Sequence, residues 1–136
     1  MRFVAVKSEA KQASAVVFKA RDLLVRQKTQ IINALRSHLA EFGIIVPQGP
    51  AHIGRLIADV EDPGSALPTA ARPSCLALIS ILRSLVDQVR ALDQEIARRA
   101  RQDDVAKRLM TIPGIGPVII LISFPQIAVR AAATHA

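Results

Sequence analysis

The sequence predicts an all-α fold: two long antiparallel helices, a short helix between them, and a C-terminal pair of helices joined by a hairpin turn. Hydrophobic residues make up 51% of the 136 residues, but only 3% are aromatic, and neither Trp nor Tyr occurs. A core of Leu, Ile, Val and Ala suits helices packed on helices better than a β-sandwich. Residues 8–42 and 74–101 contain no Gly or Pro and carry apolar residues at helical spacing.

The first long helix is predicted over residues 8–42. Ser8 is a suitable N-cap, Glu9 places a carboxylate in the first turn, and Gly43 is suited to end the helix. The apolar stripe consists of Val17, Ala20, Leu24, Ile31, Leu35 and Leu39. The basic residues fall mostly off this stripe: Lys11, Lys19, Arg21, Arg26, Lys28 and Arg36. Four of them do not share one narrow face and are predicted to form a solvated surface, part of which an RNA or DNA backbone could use: Arg21, Arg26, Lys28 and Arg36.

A connector of roughly thirty residues allows the two long helices to fold back on each other. It begins with a turn-rich segment at residues 44–50 and continues with a short helix over residues 51–60. Residues 61–73 contain three prolines and a glycine, a composition typical of a loop. The apolar side of the short helix is predicted to consist of Ile53, Leu56, Ile57 and Val60.

The second long helix is predicted over residues 74–101, with a seam of apolar residues spaced alternately by three and four. This is the a/d pattern of a coiled coil sustained for about three heptads. The seam can pack against the first helix or against a second copy of the chain. Packing against a second copy would give a homo-oligomer, which is the expected assembly. The seam residues are Cys75, Leu78, Leu82, Leu85, Val89, Leu92 and Ile96.

A third helical segment, residues 105–111, follows Asp103 and Asp104, which are predicted to cap it. The turn Pro113-Gly114-Ile115-Gly116-Pro117 comes next, and Pro117 is suited to the first position of a further helix. The two glycines permit a sharp turn with exposed amides, which can bind phosphate at a helix N-terminus. Ile112 and Ile115 are predicted to anchor the turn. This stretch resembles the helix-hairpin-helix motif of DNA repair and recombination proteins.

The charge balance favours a partner that carries phosphate or an anionic membrane surface. There are 18 basic and 11 acidic residues, a net charge of +7. Arginines at the end of the second helix complement its dipole, and beside the turn they are also placed to contact phosphate. The predicted nucleic-acid-binding residues are Gly114, Ile115, Gly116, Val118, Lys107, Arg108, Arg98, Arg99 and Arg101.

No catalytic residue, metal site or cofactor is predicted in this chain. The acidic group Asp59, Glu61 and Asp62 is interpreted as a solvated loop. The three histidines, His38, His52 and His135, lack the spacing of metal ligands. His38 lies near the apolar stripe of the first helix and is interpreted as a packed or edge histidine. The lone Cys75 fits the buried seam, and a chain without disulfides is expected in a reducing compartment, the cytoplasm. No apolar run reaches the length that a membrane span needs.

Four segments resemble the central region of one transposase family: residues 2–8 (RFVAVKS), 21–27 (RDLLVRQ), 33–43 (NALRSHLAEFG) and 109–118 (LMTIPGIGPV). The family is that of the bacterial insertion-sequence transposases related to the Piv and MooV DNA invertases, the IS-one-ten type. The likeness extends from Met1 to about Val118.

The resemblance implies a parent protein that recombines DNA, in some members with a structured RNA as guide. Its first domain would have a RuvC-like nuclease fold with a DEDD set of carboxylates and a Mg²⁺ requirement. A coiled coil would follow, and then a transposase domain that opens with the hairpin and carries a catalytic serine. Met1 is then expected to be an internal methionine, and Ser123 lacks the context of that serine.

The resulting domain prediction is a helical coiled-coil and oligomerisation region at residues 1–101. The start of the transposase domain follows at 102–124, and residues 125–136 form an unaligned tail.

The predicted function is that of a truncated transposase fragment that binds DNA or structured RNA but has no enzymatic activity of its own. The alternatives are a protein–protein assembly module and a non-functional remnant of a mobile element. The uncharged, β-branched run at residues 118–122, which is prone to aggregation, favours the remnant.

Overall fold

The computed structural model describes residues 9–114 and residue 116, and this part of the chain is helical without any strand. The four α-helices are α1 (Glu9–Glu41), α2 (Ile53–Glu61), α3 (Arg72–Gln102) and α4 (Asp104–Met110), with a short 3-10 helix at Pro50–His52. The prediction of an all-α fold is confirmed. None of these described helices has an apolar stretch long enough to cross a bilayer.

The chain divides into two compact units. The central unit is Leu24–Gln88, and the terminal unit combines Met1–Leu23 with Val89–Ala136. Both long helices contribute residues to each unit, so each unit contains a segment of α1 and a segment of α3.

The C-terminal end of α1 is formed by a glycine in the left-handed region, as predicted. Gly43 has a φ of 78°, which carries little cost for a residue without a Cβ. The amides of Gly43 and Ile44 donate to the carbonyls of Ala40 and Leu39, each at 3.0 Å. Two such bonds complete the Schellman motif and satisfy carbonyls that the helix itself leaves unpaired. Ser8, the predicted N-cap, lies outside the described residues.

The core of the central unit joins α1, α2, α3 and the segments between them. Leu35, Leu39, Leu56 and Val60 are fully buried, and Leu67 in the proline-rich loop is 3% exposed. The loop therefore contributes a side chain to the core. The cluster consists of Ile32, Leu35, Leu39, Val46, Leu56, Val60, Leu67, Cys75, Ile79 and Leu82.

The buried face of α3 is wider than the predicted seam. Ile79 is 1% exposed, although it is not a seam position, whereas Leu78 is only half-buried. Ile32 of α1 also lies outside the predicted stripe and is 7% exposed. A strict a/d pattern describes a two-stranded seam, but a helix packed against more than one element buries a third position per heptad. Here the additional elements are α2 and the loop after it.

Arg72 fixes the loop between α2 and α3, a role that the sequence did not indicate. Its guanidinium donates to the carbonyl oxygens of Val60, Asp62 (2.8 Å) and Leu67 (3.1 Å), and to the Ser65 hydroxyl (3.3 Å). Helix α3 begins at this arginine, two residues earlier than predicted. The planar fork of donors in arginine suits this simultaneous capture of several carbonyls.

The terminal unit has a smaller apolar cluster and more polar contacts. Ala100 and Ala106 are buried, and Leu109 and Met110 pack against them. Arg21 of α1 forms a hydrogen-bonded ion pair with Asp93 of α3. The prediction that Arg21 belongs to a solvated surface is therefore wrong, because its side chain is only 28% exposed.

The start of α4 is capped by Asp103, as predicted. Its carboxylate accepts from the amides of Val105 at 2.9 Å and Ala106 at 3.3 Å. Asp104 is the first residue of the helix rather than a second cap. The cap separates α3 from α4 and so sets where the basic residues of α4 stand.

Candidate nucleic-acid interface

The excess of positive charge lies outside the central unit. The central unit contains six basic and five acidic residues, so it is close to neutral. The described part of the terminal unit contains nine basic and six acidic residues. A phosphate-bearing partner would therefore be attracted mainly to the terminal unit.

Two of the predicted binding residues, Arg98 and Arg99, share one carboxylate. Arg98 holds Glu95 through two bonds, Nη2 to Oε1 at 2.6 Å and Nε to Oε2 at 2.9 Å. Arg99 donates from Nε to the same Oε1 at 2.7 Å and from Nη1 to the Ser14 hydroxyl at 3.3 Å. Both guanidinium groups thus have internal partners, and Arg99 also contacts α1.

Glu95 and the two arginines that hold it, Arg98 and Arg99, are all ionised near neutral pH. Hydrogen bonds from Arg98 and then Arg99 lower the pKa of Glu95 to about 2, and the same carboxylate raises the pKa of Arg98. A depressed carboxyl pKa means that the contact is fully present above the unfolded pKa and is lost only as the pH falls toward 2. At neutral pH the two arginines therefore face a fully charged Glu95.

The remaining basic residues, Arg101, Lys107 and Arg108, are exposed. Lys107 lies 3.6 Å from a carboxylate oxygen of Asp104, whose side chain is 90% exposed, so this ion pair is weak. Within the described part of the chain, the side chains of Arg101 and Arg108 have no hydrogen-bonding or ion-pair partner. These two arginines are the most available cations of the predicted set.

The residues directly after α4 form a turn. The Thr111 hydroxyl donates to the Arg108 carbonyl at 2.6 Å, and the Ile112 amide donates to the Leu109 carbonyl at 3.1 Å. Gly114 has a φ of 86°, in the region that favours glycine. Ile112 is 48% exposed, and the second helix of the hairpin, against which it is predicted to pack, lies outside the described residues. Ile115, Pro117 and Val118 lie outside the described residues.

Gly114→Ala is expected to destabilise this turn, because an L-residue in the left-handed region costs about 1–2 kcal/mol. The cost comes from the backbone alone, since a Cβ at Gly114 would meet no atom within 4 Å. Amide hydrogen exchange from Met110 to Gly114 should become faster. Gly116→Ala is the matched control, because Gly116 has an ordinary φ and equal space around it. Equal exchange in both variants would contradict the role assigned to Gly114.

The acidic residues near the end of α2 have protein partners. Asp59 lies 3.8 Å from Arg55, Glu61 accepts from Arg83 at 2.7 Å, and Asp62 accepts from the Gly64 amide at 2.9 Å. In the described part of the chain, His, Cys, Asp and Glu do not gather into a group of three that could hold a metal ion.

The candidate histidines and the cysteine differ in their surroundings. His38 is exposed rather than packed, His52 is half-buried, and His135 lies outside the described residues. Cys75 is 3% exposed, which confirms the predicted burial. Burial raises the pKa of the Cys75 thiol, and the nearby charge of Arg72 acts in the opposite direction. A protonated, buried thiol is a poor nucleophile.

Several known proteins are similar to most of this chain. A protein of Sinorhizobium fredii that carries the name transposase y4pF/y4sB is 35% identical over 119 residues. The transposase for insertion sequence element IS1328 of Yersinia enterocolitica is 34% identical over 122 residues. The chain is related to insertion-sequence transposases. A protein of Pseudomonas aeruginosa named as a family 20 transposase is also 34% identical, over 126 residues.

The transposase relatives are much longer than the region they share with this chain. Each match takes up 87% of this chain but only 30% to 36% of the relative. The chain therefore spans about a third of the length of these transposases. No family model matches the sequence, and no solved structure is similar to it. The predicted likeness to insertion-sequence transposases is confirmed by these relatives.

Proposed function

We propose that this chain is a helical segment of an insertion-sequence transposase, of the type related to the Piv and MooV invertases, and that it binds the phosphodiester backbone of DNA. The observation that carries the proposal is the similarity to named transposases over 87% of the chain. The charge distribution supports it, since the positive excess lies outside the central unit. Structured RNA has the same backbone chemistry and is the second ligand to test.

The proposed contact surface consists of Arg101, Lys107, Arg108 and the amides of the turn at Gly114 and Gly116. It is smaller than the surface predicted from the sequence, because Arg98 and Arg99 have internal partners. The two exposed arginines supply charge, and the glycines leave the backbone amides uncovered. Such contacts position a nucleic acid without reading its bases. Ile115 and Val118 remain predicted contacts.

We further propose that the helices α1 and α3 pair in antiparallel fashion and form the scaffold for this surface. In the terminal unit, Ser14 contacts Arg99 and Arg21 contacts Asp93. The residue of α1 that lies later in the helix thus contacts the residue of α3 that lies earlier, as in an antiparallel pair. The core of the central unit contains buried residues of both helices, among them Ile32 and Leu39 of α1 and Cys75 and Leu82 of α3, which supports the pairing.

A second candidate function is protein–protein assembly. The seam residues Leu82, Val89 and Ile96 are already buried within one chain, so a second copy would have to use another face. Val16 and Leu23 of α1 are 64% and 55% exposed and seven residues apart, which places them on one side of the helix. This exposed apolar pair favours assembly. Self-association through it should persist at high salt, whereas phosphate binding should not.

Arg101→Gln combined with Arg108→Gln is expected to weaken binding to a short random-sequence duplex. The affinity should fall about 10-fold or more at low salt, and the slope of log K against log salt should decrease by about 0.9 for each phosphate that the protein no longer neutralises. Fluorescence anisotropy between about 50 and about 200 mM salt would measure both. Structured RNA tested in parallel would distinguish the two ligands.

The control is Arg55→Gln, an exposed arginine of the nearly neutral central unit that pairs only weakly with Asp59. An equal loss of affinity per positive charge removed in the control and in the double variant would assign binding to net charge rather than to this surface. Self-association that survives high salt, without binding of the duplex, would favour the assembly module. We also propose that this chain contributes no catalytic group, and Mg²⁺-dependent cleavage of the probe would contradict that.

A further inference from the structure

We propose, on the basis of the function proposed above, that Glu95 limits nucleic-acid binding by occupying Arg98, which would otherwise extend the surface of Arg101, Lys107 and Arg108. Glu95 then acts as an internal competitor of the backbone phosphate. Its carboxylate takes the place that a phosphate would occupy on the arginine fork.

The geometry of Arg98 supports this role. Glu95 accepts from its Nε and Nη2, and Gln102 Oε1 accepts from its Nη1 at 3.4 Å. All three nitrogens of the guanidinium are therefore engaged along α3 itself. Carboxylate and phosphate both match the parallel donors of arginine, so one can replace the other.

The position of Arg98 makes the exchange possible. Arg98 and Arg101 lie three residues apart on α3, which places them side by side on the helix surface. The side chain of Arg98 is 54% exposed, so its pair with Glu95 is screened by solvent and can be displaced. Arg99 differs, because its side chain is only 29% exposed and it also holds Ser14 of α1. Arg99 therefore stabilises the contact between α1 and α3, whereas Arg98 is the arginine that can exchange Glu95 for a phosphate.

The experiment compares Glu95→Gln with wild type in the complete chain, using the same random-sequence duplex and salt range. Loss of the competing charge is expected to tighten binding about two- to fivefold at low salt. The salt slope should steepen by about 0.9 as Arg98 gains a phosphate. Adding Arg98→Gln to Glu95→Gln should return the affinity to the wild-type level, which assigns the gain to this arginine.

Asp59→Asn is the matched control, since it removes one negative charge from an ion pair in the central unit. Circular dichroism should show the same helix content in all variants. A gain in Glu95→Gln no larger than in Asp59→Asn, with Arg101 and Arg108 still required for binding, would overturn the inference and leave the proposed function intact. Absence of binding by wild type and by every variant would overturn both.

Discussion

Replacing Leu35 by Ala is expected to lower the free energy of unfolding by about 2–5 kcal/mol, the range for a buried leucine that leaves a cavity. Leu35 is fully buried in the core of the central unit, where α1, α2, α3 and the proline-rich loop all contribute side chains. The surrounding helices are continuous and can relax only in part. Urea unfolding followed by circular dichroism would measure the loss.

The control for Leu35 is Ile81→Ala, a substitution at an apolar residue of the same unit that is 51% exposed. Its effect should stay within about 0.5 kcal/mol, as for most surface substitutions. Equal destabilisation by the two changes would show that the core of the central unit is not the one described.

Replacing Arg72 by Met is expected to cost about 1.5–3 kcal/mol, since hydrogen bonds from a charged donor are worth that much and several are removed together. Methionine keeps much of the aliphatic length but cannot donate to the carbonyls of Val60, Asp62 and Leu67. Two of those carbonyls belong to residues whose side chains are buried. Thermal unfolding and proteolysis of the loop at residues 62–71 would measure the effect.

Arg83→Met is the matched control for Arg72, because Arg83 also lies on α3 and also reaches the end of α2. Its partner is the exposed carboxylate of Glu61 at 2.7 Å, and such surface pairs contribute at most about 1 kcal/mol. If Arg83→Met were as destabilising as Arg72→Met, the carbonyl contacts of Arg72 would not be what holds the loop.

The helices could be predicted from the sequence because their ends are set by local chemistry. Gly43 ends α1 through its positive φ, and Asp103 starts α4 through two hydrogen bonds to nearby amides. Both effects involve residues within a few positions of each other. The wider buried face of α3, with Ile79 in place of Leu78, depends on what packs against that helix, and periodicity alone does not contain this information.

The candidate site was predicted in part. The cluster of basic residues beside the glycine turn was visible in the sequence. The prediction did not distinguish the arginines that pair with a carboxylate of the protein from those that remain free to contact a phosphate. Part of the signal was present, because Glu95 stands three and four residues before Arg98 and Arg99, the spacing of helical ion pairs. The contact of Arg99 with Ser14 carried no such signal, since 85 residues separate them.

The sequence by itself determined the all-α class, the end of α1 at Gly43, the cap of α4 at Asp103 and the likeness to insertion-sequence transposases, because periodicity, caps and motifs are properties of neighbouring residues. Only the tertiary structure decided which charges have partners. Arg21 is paired with Asp93, Arg72 with the loop carbonyls and Arg99 with Ser14, whereas Arg101 and Arg108 stand exposed. Electrostatic pairing depends on distance through space, and distant residues come close only after the helices have packed.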